Sequence, residues 1–464
     1  MKSVVLSMFL LLACGEKRNP DKCCVDEADC AAIGLPNGST CANGELCRGN
    51  ECLEIVCSTS AECDLSAPYC ENDRCRETCT TDSSCPVTSP AQPYCVAGGC
   101  VQCRDTNDCG DLVCRDGKCG GCAADGECAS GLCITSSGTC ATTTDVAFAS
   151  AAGSPTSNCT SNAPCSLLRA FSIDPPRKTI KLQAGTYQNA STFTIEGIRS
   201  VVGEDVVNTK ITNLGTGPVF IIGAGADVSM ERLEVFGAKT GGDVGDGIRC
   251  TTGKLRLSQV RLANNAADGL SSSCDLGVTQ STLTGNTGFG ARVQGSSAVG
   301  YAIERSSIAS NTGGGIKATG AGSLRNVFVV QNTGDGLELA GTGGALGTVP
   351  QVNFATIVNN SSIVCIVGGT SSIPVTNVIV QGNIQNSNGV CAISTCVTAN
   401  FPSTQPGCTD SQFVFFKDVA DYHLVPNLNN PAINGAAGGA GLTDFDGELR
   451  PKGTAADIGA DEAL

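Results

Sequence analysis

Apolar residues in the middle of the chain recur at a fixed distance from an asparagine and a glycine. In four segments an aliphatic residue is followed by asparagine, then by glycine and a second apolar residue, with the same spacing each time. The asparagines lie 21, 25 and 21 residues apart, and Asn360 and Asn383 extend the series weakly. A period in the low twenties predicts a β-solenoid. The segments are Leu262, Asn265, Gly269, Leu270; Leu283, Asn286, Gly290, Ala291; Ile308, Asn311, Gly315, Ile316; and Val329, Asn332, Gly336, Leu337.

A β-solenoid gives these asparagines and glycines physical roles. Its coils stack about 4.8 Å apart, so equivalent asparagine side chains can hydrogen-bond to one another along the axis. Glycine at the corner that follows permits a positive φ without a clash at Cβ. We therefore expect the aliphatic residues and the asparagines to point into the solenoid.

Residues 23–140 lack this periodicity and contain repeated cysteines instead, with polar linkers between them. Every unit opens with two cysteines in C-x5-C spacing. Zinc sites favour C-x2-C knuckles, and redox C-x-x-C motifs expect a βαβ context, so the pattern favours disulfides in a region without a large core. The units are Cys57, Cys63, Cys70, Cys75; Cys79, Cys85, Cys95, Cys100; Cys103, Cys109, Cys114, Cys119; Cys122, Cys128, Cys133, Cys140; and a looser Cys24, Cys30, Cys41, Cys47, with Cys23 and Cys52 left to pair with each other.

The first residues form a candidate export signal. Lys2 precedes an apolar run over residues 4–13, which is too short to span a bilayer but matches a secretory leader. The run ends in Leu11, Leu12, Ala13 and Cys14, which resembles the bacterial lipobox. That resemblance implies a signal peptide over residues 1–13, lipidation of Cys14, a tether over residues 14–22, and anchoring at the outer membrane or cell surface. The alternative is an ordinary cleaved leader in which the cysteine occurs by chance.

Cysteine number agrees with export. Without Cys14, 30 of the 31 cysteines remain, an even number that permits complete pairing in an oxidising compartment. The repeats in residues 23–140 resemble dickkopf-like and EGF-like repeats of bacterial surface lipoproteins. That resemblance implies a rod or spacer with no active residue.

After a linker over residues 141–158, residues 159–410 resemble the right-handed parallel β-helix of the pectate-lyase-like superfamily. Residues 180–187 are similar to its first coil and residues 200–203 to the next. Residues 411–464 contain Asp-Tyr-His-Leu at 421–424 and Asp-Ile-Gly-Ala-Asp-Glu at 457–462, and they resemble the closing segment of choice-of-anchor Q proteins. We therefore expect an all-β chain, with a parallel β-helix after a disulfide-rich, loop-dominated region.

Charge excludes one class of partner. The chain has 29 lysines and arginines against 44 aspartates and glutamates, a net charge of −15. This charge repels phosphate backbones, so we expect no nucleic-acid partner.

The phase of the coils predicts one charged row. If the second apolar residue of each segment points inward, its successor points outward, which places Arg249, Ser271, Arg292, Lys317 and Glu338 on one face. A basic stripe suits anionic polysaccharide. Asp246, Asp268 and Asp335 precede the corner glycines and are possible Ca²⁺ ligands, although no metal or other cofactor is otherwise indicated. The alternative is an ordinary solvated face.

Two functions remain open at this point. The favoured one is a non-catalytic, lipid-anchored surface protein that displays its β-helix for adhesion or acidic-polysaccharide binding. The alternative is a polysaccharide lyase, hydrolase or epimerase, but the motifs of alginate epimerases and pectin esterases are absent, and no catalytic residue is assigned. The only histidine, His423, is interpreted as a cap or core contact because the sequence shows no partner for it.

Overall fold

The chain divides into two compact units, Met1–Cys140 and Ala141–Leu464. The computed structural model describes residues 45–48, 51–54, 69–71, 74–76, 78–85, 92–240, 245–296, 298–341, 349–367, 372–386, 391–399, 408–410, 414–427 and 429–463. The leader, Cys14, the tether and the looser first cysteine unit with Cys23 lie outside the described side chains. Within the part that is described, no helix is long and apolar enough to cross a membrane.

The first unit consists of short antiparallel hairpins joined by loops and single 3-10 turns at Asp82–Ser84, Thr106–Cys109 and Asp125–Glu127. The largest apolar cluster described in it consists of Val113 and three cysteines, so disulfides replace a hydrophobic core here. The hairpin strands are β1 Glu45–Arg48 with β2 Glu51–Glu54, β3 Tyr69–Glu71 with β4 Arg74–Arg76, β5 Tyr94–Val96 with β6 Gly99–Val101, β7 Val113–Arg115 with β8 Lys118–Gly120, and β9 Cys133–Ile134 with β10 Thr139–Cys140.

One disulfide pattern repeats in the three units whose cysteines are all described. The first cysteine pairs with the third and the second with the fourth, a connectivity that spacing alone does not determine. The prediction of disulfides is confirmed for these units. The pairs are Cys79 with Cys95, Cys85 with Cys100, Cys103 with Cys114, Cys109 with Cys119, Cys122 with Cys133, and Cys128 with Cys140.

The second unit is a parallel β-helix, which confirms the predicted fold class. A 3-10 turn at Thr143–Asp145 precedes it, and its first coil carries one short helix, α1, Leu167–Ser172. The strands are β11 Val146–Ser154, β12 Thr179–Leu182, β13 Gly185–Asn189, β14 Phe193–Ile195, β15 Ile198–Val202, β16 Thr209–Asn213, β17 Phe220–Ile222, β18 Asp227–Phe236, β19 Ile248–Cys250, β20 Lys254–Ala263, β21 Leu270–Ser272, β22 Asp275–Thr279, β23 Thr282–Thr284, β24 Phe289–Gln294, β25 Tyr301–Ala309, β26 Gly314–Thr319, β27 Gly322–Val330, β28 Asp335–Gly341, β29 Pro350–Val367, β30 Ile373–Asn386, β31 Cys391–Ala399 and β32 Cys408–Asp410.

The strands form three parallel sheets because each coil contributes a segment to every sheet. The first sheet runs from β11 through β12, β15 and β22. The second contains β13, β16 and β23, and the third contains β14, β17, β19, β21, β24, β26 and β28. Longer strands such as β18 and β20 bend at the corner between the first two sheets and pair in both. Four further disulfides tie the coils: Cys159 with Cys165, Cys250 with Cys274, Cys365 with Cys391, and Cys396 with Cys408.

The asparagine ladder predicted from the sequence is present at the corner between the second and third sheets. Asn265, Asn286, Asn311 and Asn332 are buried, and each Nδ2 donates to Oδ1 of the next asparagine at 2.9 Å, ending on Asn360. Oδ1 of each later asparagine also accepts the backbone N–H of the asparagine in the preceding coil, and Oδ1 of Asn265 accepts the N–H of Ala238. Asn286, Asn311 and Asn332 use both N–H groups of Nδ2, because each also donates to a backbone carbonyl of the preceding coil. The side chain of Asn383 lies outside the described residues.

The corner glycines have a different role from the one predicted. None of Gly269, Gly290 and Gly315 has a positive φ. A Cβ on Gly269 would lie 2.6 Å from the carbonyl oxygen of Gly290 and 2.7 Å from Nδ2 of Asn286. Glycine is therefore required because the next coil approaches too closely for a side chain. The left-handed residues of this corner directly precede the asparagines, as Asn264 and Ser310 do.

The closing segment covers the outer face of the second sheet. That face carries apolar side chains in its later coils, including Phe328, Val358 and Ile379, and they pack against residues of the closing segment such as Tyr422 and Ile458. Backbone groups are also paired across this contact: Asn377 donates Nδ2 to the carbonyl of Ala437 and accepts the amide N–H of the same residue. The segment therefore completes a second, smaller core outside the solenoid.

Within the closing segment one arginine is wholly buried. Arg450 donates to Glu462 and to the carbonyls of Asp457 and Gly459, and its guanidinium lies 4.4 Å from the centroid of the Phe354 ring. These contacts hold the end of the chain against β29.

Asn311→Asp should destabilise the β-helix strongly. Nδ2 of Asn311 donates to Oδ1 of Asn332 and to the carbonyl of Leu283. The aspartate would instead place a negatively charged oxygen against these two acceptor oxygens. We expect a loss of about 3 kcal/mol or more, and a smaller loss for Asn311→Ala, which adds no charge. Thermal unfolding followed by circular dichroism measures both.

The matched control is Asn429→Asp, which changes an exposed asparagine in the closing segment and should melt like wild type. If Asn311→Asp also melted like wild type at neutral pH, the ladder would not stabilise the coils.

Candidate functional site

The residues predicted to form an outward row do lie side by side on the third sheet. Arg249 of β19 pairs in register with Ser271 of β21, followed by Arg292, Lys317 and Glu338 in the next three coils. We call these five residues the third-sheet row. Successive coils present one member each, about 4.8 Å apart. The structure thus brings together the side chains selected from the phase of the sequence.

Each cation of the row is paired with a carboxylate. Nε of Arg249 lies 2.9 Å from Oδ2 of Asp246, and Nε of Arg292 lies 2.6 Å from Oδ2 of Asp268. Nζ of Lys317 forms an ion pair with Glu338 of the following coil. The row is therefore electrically balanced rather than a free positive stripe.

The two buried aspartates also hold the backbone. Oδ1 of Asp246 accepts the N–H of Asp268, and Oδ1 of Asp268 accepts the N–H of Phe289 at 2.7 Å. Burial raises the pKa of Asp246, and its hydrogen bond with Arg249 only partly offsets this effect. These carboxylates form a second ladder that connects three coils and orients the arginines.

Asp335 lies farther along the same corner, where its carboxylate accepts the hydroxyl of Ser362. A Ca²⁺ ion at Asp246 or Asp268 would have to displace the hydrogen bonds just described. Calcium binding at the three aspartates therefore stays a prediction.

An aromatic ring that the sequence analysis missed lies within this site. Phe289 occupies the corner position that Asp246 and Asp268 hold in the preceding coils, and its partner in the next coil is Gly314. A Cβ on Gly314 would lie 2.5 Å from the Phe289 ring, so the glycine makes room for that ring. In the sequence, Phe289 appears only as a break in a run of corner aspartates. Its place in this site becomes clear from the pairing of the coils.

The ring and the cations form one surface. The Arg292 guanidinium lies 5.0 Å from the centroid of the Phe289 ring, and Nζ of Lys317 lies 5.9 Å from it. Both cations are partly exposed, and so is the ring. An aromatic face flanked by hydrogen-bond donors can stack against a sugar ring and bind its hydroxyl or carboxylate groups.

A second candidate site surrounds His423 at the edge of the closing segment. A cavity of about 270 Å³ is bordered by the second sheet through Ser307 and Phe328, and by the closing segment through Tyr422, His423 and Phe445. The sequence analysis found no partner for His423, but the structure gives it two. Nδ1 contacts Asp421, and Nε2 lies 3.2 Å from Oδ2 of Asp446.

Charge around His423 determines its protonation. Burial by itself would lower the pKa of His423, but the hydrogen bond with Asp421 and the negative charges of Asp461 and Asp446 outweigh it and raise that pKa. The same contact lowers the pKa of Asp421. Both ring nitrogens of His423 contact carboxylates, which leaves neither placed to take a proton from a substrate. The interpretation of His423 as a cap or core contact stays a prediction.

The chain is weakly similar to a solved structure. The crystal structure of pectate lyase Pel9A matches with a TM-score of 0.40 and 15% sequence identity, over 69% of this chain and 96% of that chain. At this identity the likeness does not extend to a reaction or a substrate. No family model and no curated protein matches the chain.

The raised pKa of His423 can be measured directly. Since the chain has one histidine, a sample labelled in histidine gives a single imidazole signal, whose pH titration in the presence of a chelator should have a midpoint above about 6.5. A raised pKa stabilises the folded state below the unfolded pKa, and this contribution is lost as the pH rises through the folded pKa.

Asp421→Asn should lower the midpoint because it removes the hydrogen bond and charge that raise it. The control is Asp418→Asn, which changes an exposed residue of the same segment and should leave the midpoint unchanged. A wild-type midpoint below 6.5 would show that burial outweighs the carboxylates.

Proposed function

We propose that the chain is an exported, lipid-anchored surface protein whose β-helix binds polysaccharide without catalysis. The observation that carries the proposal is the third-sheet row with Phe289 beside it. Its side chains are fixed by ion pairs and by the stacking of coils, so little conformational entropy is lost when a ligand binds.

The regular repeat of the row favours a linear polymer as the ligand. One polar side chain per coil recurs along the axis, and a polysaccharide presents hydroxyl or carboxylate groups at a similarly regular repeat. Arg292 uses two of its nitrogens on Asp268, and its other N–H groups remain to donate to a ligand. Acidic glycans are the favoured class because guanidinium and ammonium groups bind carboxylates most strongly.

Export is supported by cysteine chemistry. All eight cysteines that follow Cys140 are in disulfides, as are all twelve in the three fully described repeat units. Such density is typical of proteins that fold outside the cytoplasm. The leader and Cys14 supply the proposed route and anchor.

The first test is binding of purified protein to acidic and neutral polysaccharides. Phe289→Ala should weaken binding about two- to tenfold, which corresponds to ~0.5–1.5 kcal/mol for a lost aromatic contact. Arg292→Gln should weaken binding to acidic glycans more than to neutral ones because it removes a charge. Isothermal titration calorimetry measures the affinities.

The matched control is Arg256→Gln, which removes a surface arginine of the first sheet that pairs with Asp275. It should bind like wild type. Release of unsaturated ends or reducing sugar during the same incubations would favour the enzymatic alternative, and equal binding by wild type and both site variants would contradict the proposed surface.

The second test concerns the anchor. Cells that express the full chain and are fed a fatty-acid probe should label wild type but not Cys14→Ser, because only the thiol of Cys14 would receive the lipid. Cys23→Ser, which leaves the lipobox intact, is the control and should keep the label. Label retained on Cys14→Ser would contradict lipidation at this residue.

A further inference from the structure

Three potential metal ligands converge at the closing segment, away from the third-sheet row. One ring nitrogen of His423 and one carboxylate oxygen each from Asp446 and Asp461 lie within 4.8 Å of one another. Nε2 of His423 is 3.2 Å from Oδ2 of Asp446. Adjacent ligands of a transition metal lie about 3 to 3.5 Å apart when each bond is about 2.0–2.2 Å, so this pair already has a suitable separation.

The imidazole is oriented from its other side. Nδ1 of His423 contacts Asp421, which also accepts the backbone N–H of His423 at 3.1 Å. The rings of Phe328 and Phe445 pack against the edges of the imidazole at 5.2 and 5.8 Å between centroids. A carboxylate on Nδ1 with Nε2 directed at a metal is the arrangement that fixes metal-ligating histidines.

Negative charge is in excess at this point. Asp421, Asp446 and Asp461 surround one imidazole, and among the described residues only His423 forms ion pairs with Asp421 and Asp446. Lys417 acts on Asp421 at longer range, and the neighbouring Asp444 adds further negative charge near Asp461. Asp461 is 3% exposed. An excess of carboxylates in a partly buried site attracts a divalent cation.

The cluster is accessible from solvent through Asp446. His423 and Asp421 border the space of about 270 Å³ described above, and Asp446 is half exposed. A metal held by three protein ligands keeps open positions for water or an oxygen-bearing ligand.

We propose that His423, Asp446 and Asp461 form a site for a divalent first-row transition metal, with Asp421 as the residue that positions the imidazole. One nitrogen and two carboxylate oxygens suit Zn²⁺ or Mn²⁺, whereas Ca²⁺ takes six to eight oxygen ligands. The site lies on the closing segment and is independent of polysaccharide binding at the third sheet.

The single histidine makes the test direct. Full-length protein without an affinity tag, selectively labelled in histidine and freed of metal with a chelator, is titrated with Zn²⁺ and separately with Mn²⁺ at neutral pH. We expect Zn²⁺ to shift the imidazole signal to a new position at one equivalent, and Mn²⁺ to broaden it. Ca²⁺ at the same concentration should leave the signal unchanged.

Variants identify the ligands. Asp446→Asn should weaken Zn²⁺ binding at least tenfold, and its half-exposed position keeps the fold intact, which circular dichroism checks. Asp421→Asn should weaken binding about 10- to 100-fold through the orientation of the ring. Asp418→Asn, in the same segment but outside the cluster, should bind like wild type.

Two results would overturn the site. One is an imidazole signal that neither shifts nor broadens at tenfold excess of either metal. The other is an unchanged response in Asp446→Asn, which would mean that the metal reaches the histidine without this cluster.

Discussion

The buried asparagine ladder reinforces the spacing between coils that the backbone hydrogen bonds of the three parallel sheets set, and the third-sheet row depends on that spacing. Each ladder asparagine is bonded both to the next side chain and to the backbone of its neighbour, so a shift of one coil would break several buried hydrogen bonds at once. Each lost bond in this interior leaves a group whose desolvation costs about 1–3 kcal/mol. The ladder therefore strengthens the register set by backbone pairing, whereas hydrophobic contacts alone do not, because aliphatic side chains tolerate sliding. Gly269 and its equivalents contribute by allowing the close approach.

Register explains how a charged row and a closing segment can be built on residues far apart in sequence. Arg292 meets Asp268 across 24 positions, and Asn326 donates to the carbonyl of Thr443 across 117. The outer face of the second sheet is apolar only in its later coils, where the closing segment covers it. In earlier coils that face is charged: the partly exposed Lys210 and Arg261 both pair with the buried carboxylate of Glu234. The outer face of the second sheet is therefore charged where it faces solvent and apolar where the closing segment covers it.

The sequence correctly predicted the features that repeat from one coil to the next. The ladder, the inward aliphatic residues and the alignment of Arg249, Arg292 and Lys317 all follow from a period and a phase. It failed for Phe289 and for the partners of His423. Phe289 breaks the corner pattern, and its role depends on Gly314 one coil away. His423 meets Asp446 and Asp461 through turns of the closing segment, which have no period from which to predict contacts. The role of the corner glycines was also predicted wrongly. A glycine required for a positive φ and a glycine required because the next coil lies close look the same in a sequence.

Charge pairing on the third sheet bears on how that surface selects a ligand. A row of three cations and their three carboxylates has little net field, so it would not collect every polyanion in its surroundings. Selection then depends on where the remaining donors point and on the Phe289 face, since both have fixed positions relative to the coils. A ligand whose groups match the spacing of the coils meets several donors at once, whereas an irregular polyanion meets one at a time. Pairing each cation with its own carboxylate thus lowers general electrostatic attraction and leaves shape and repeat distance as the main basis of recognition.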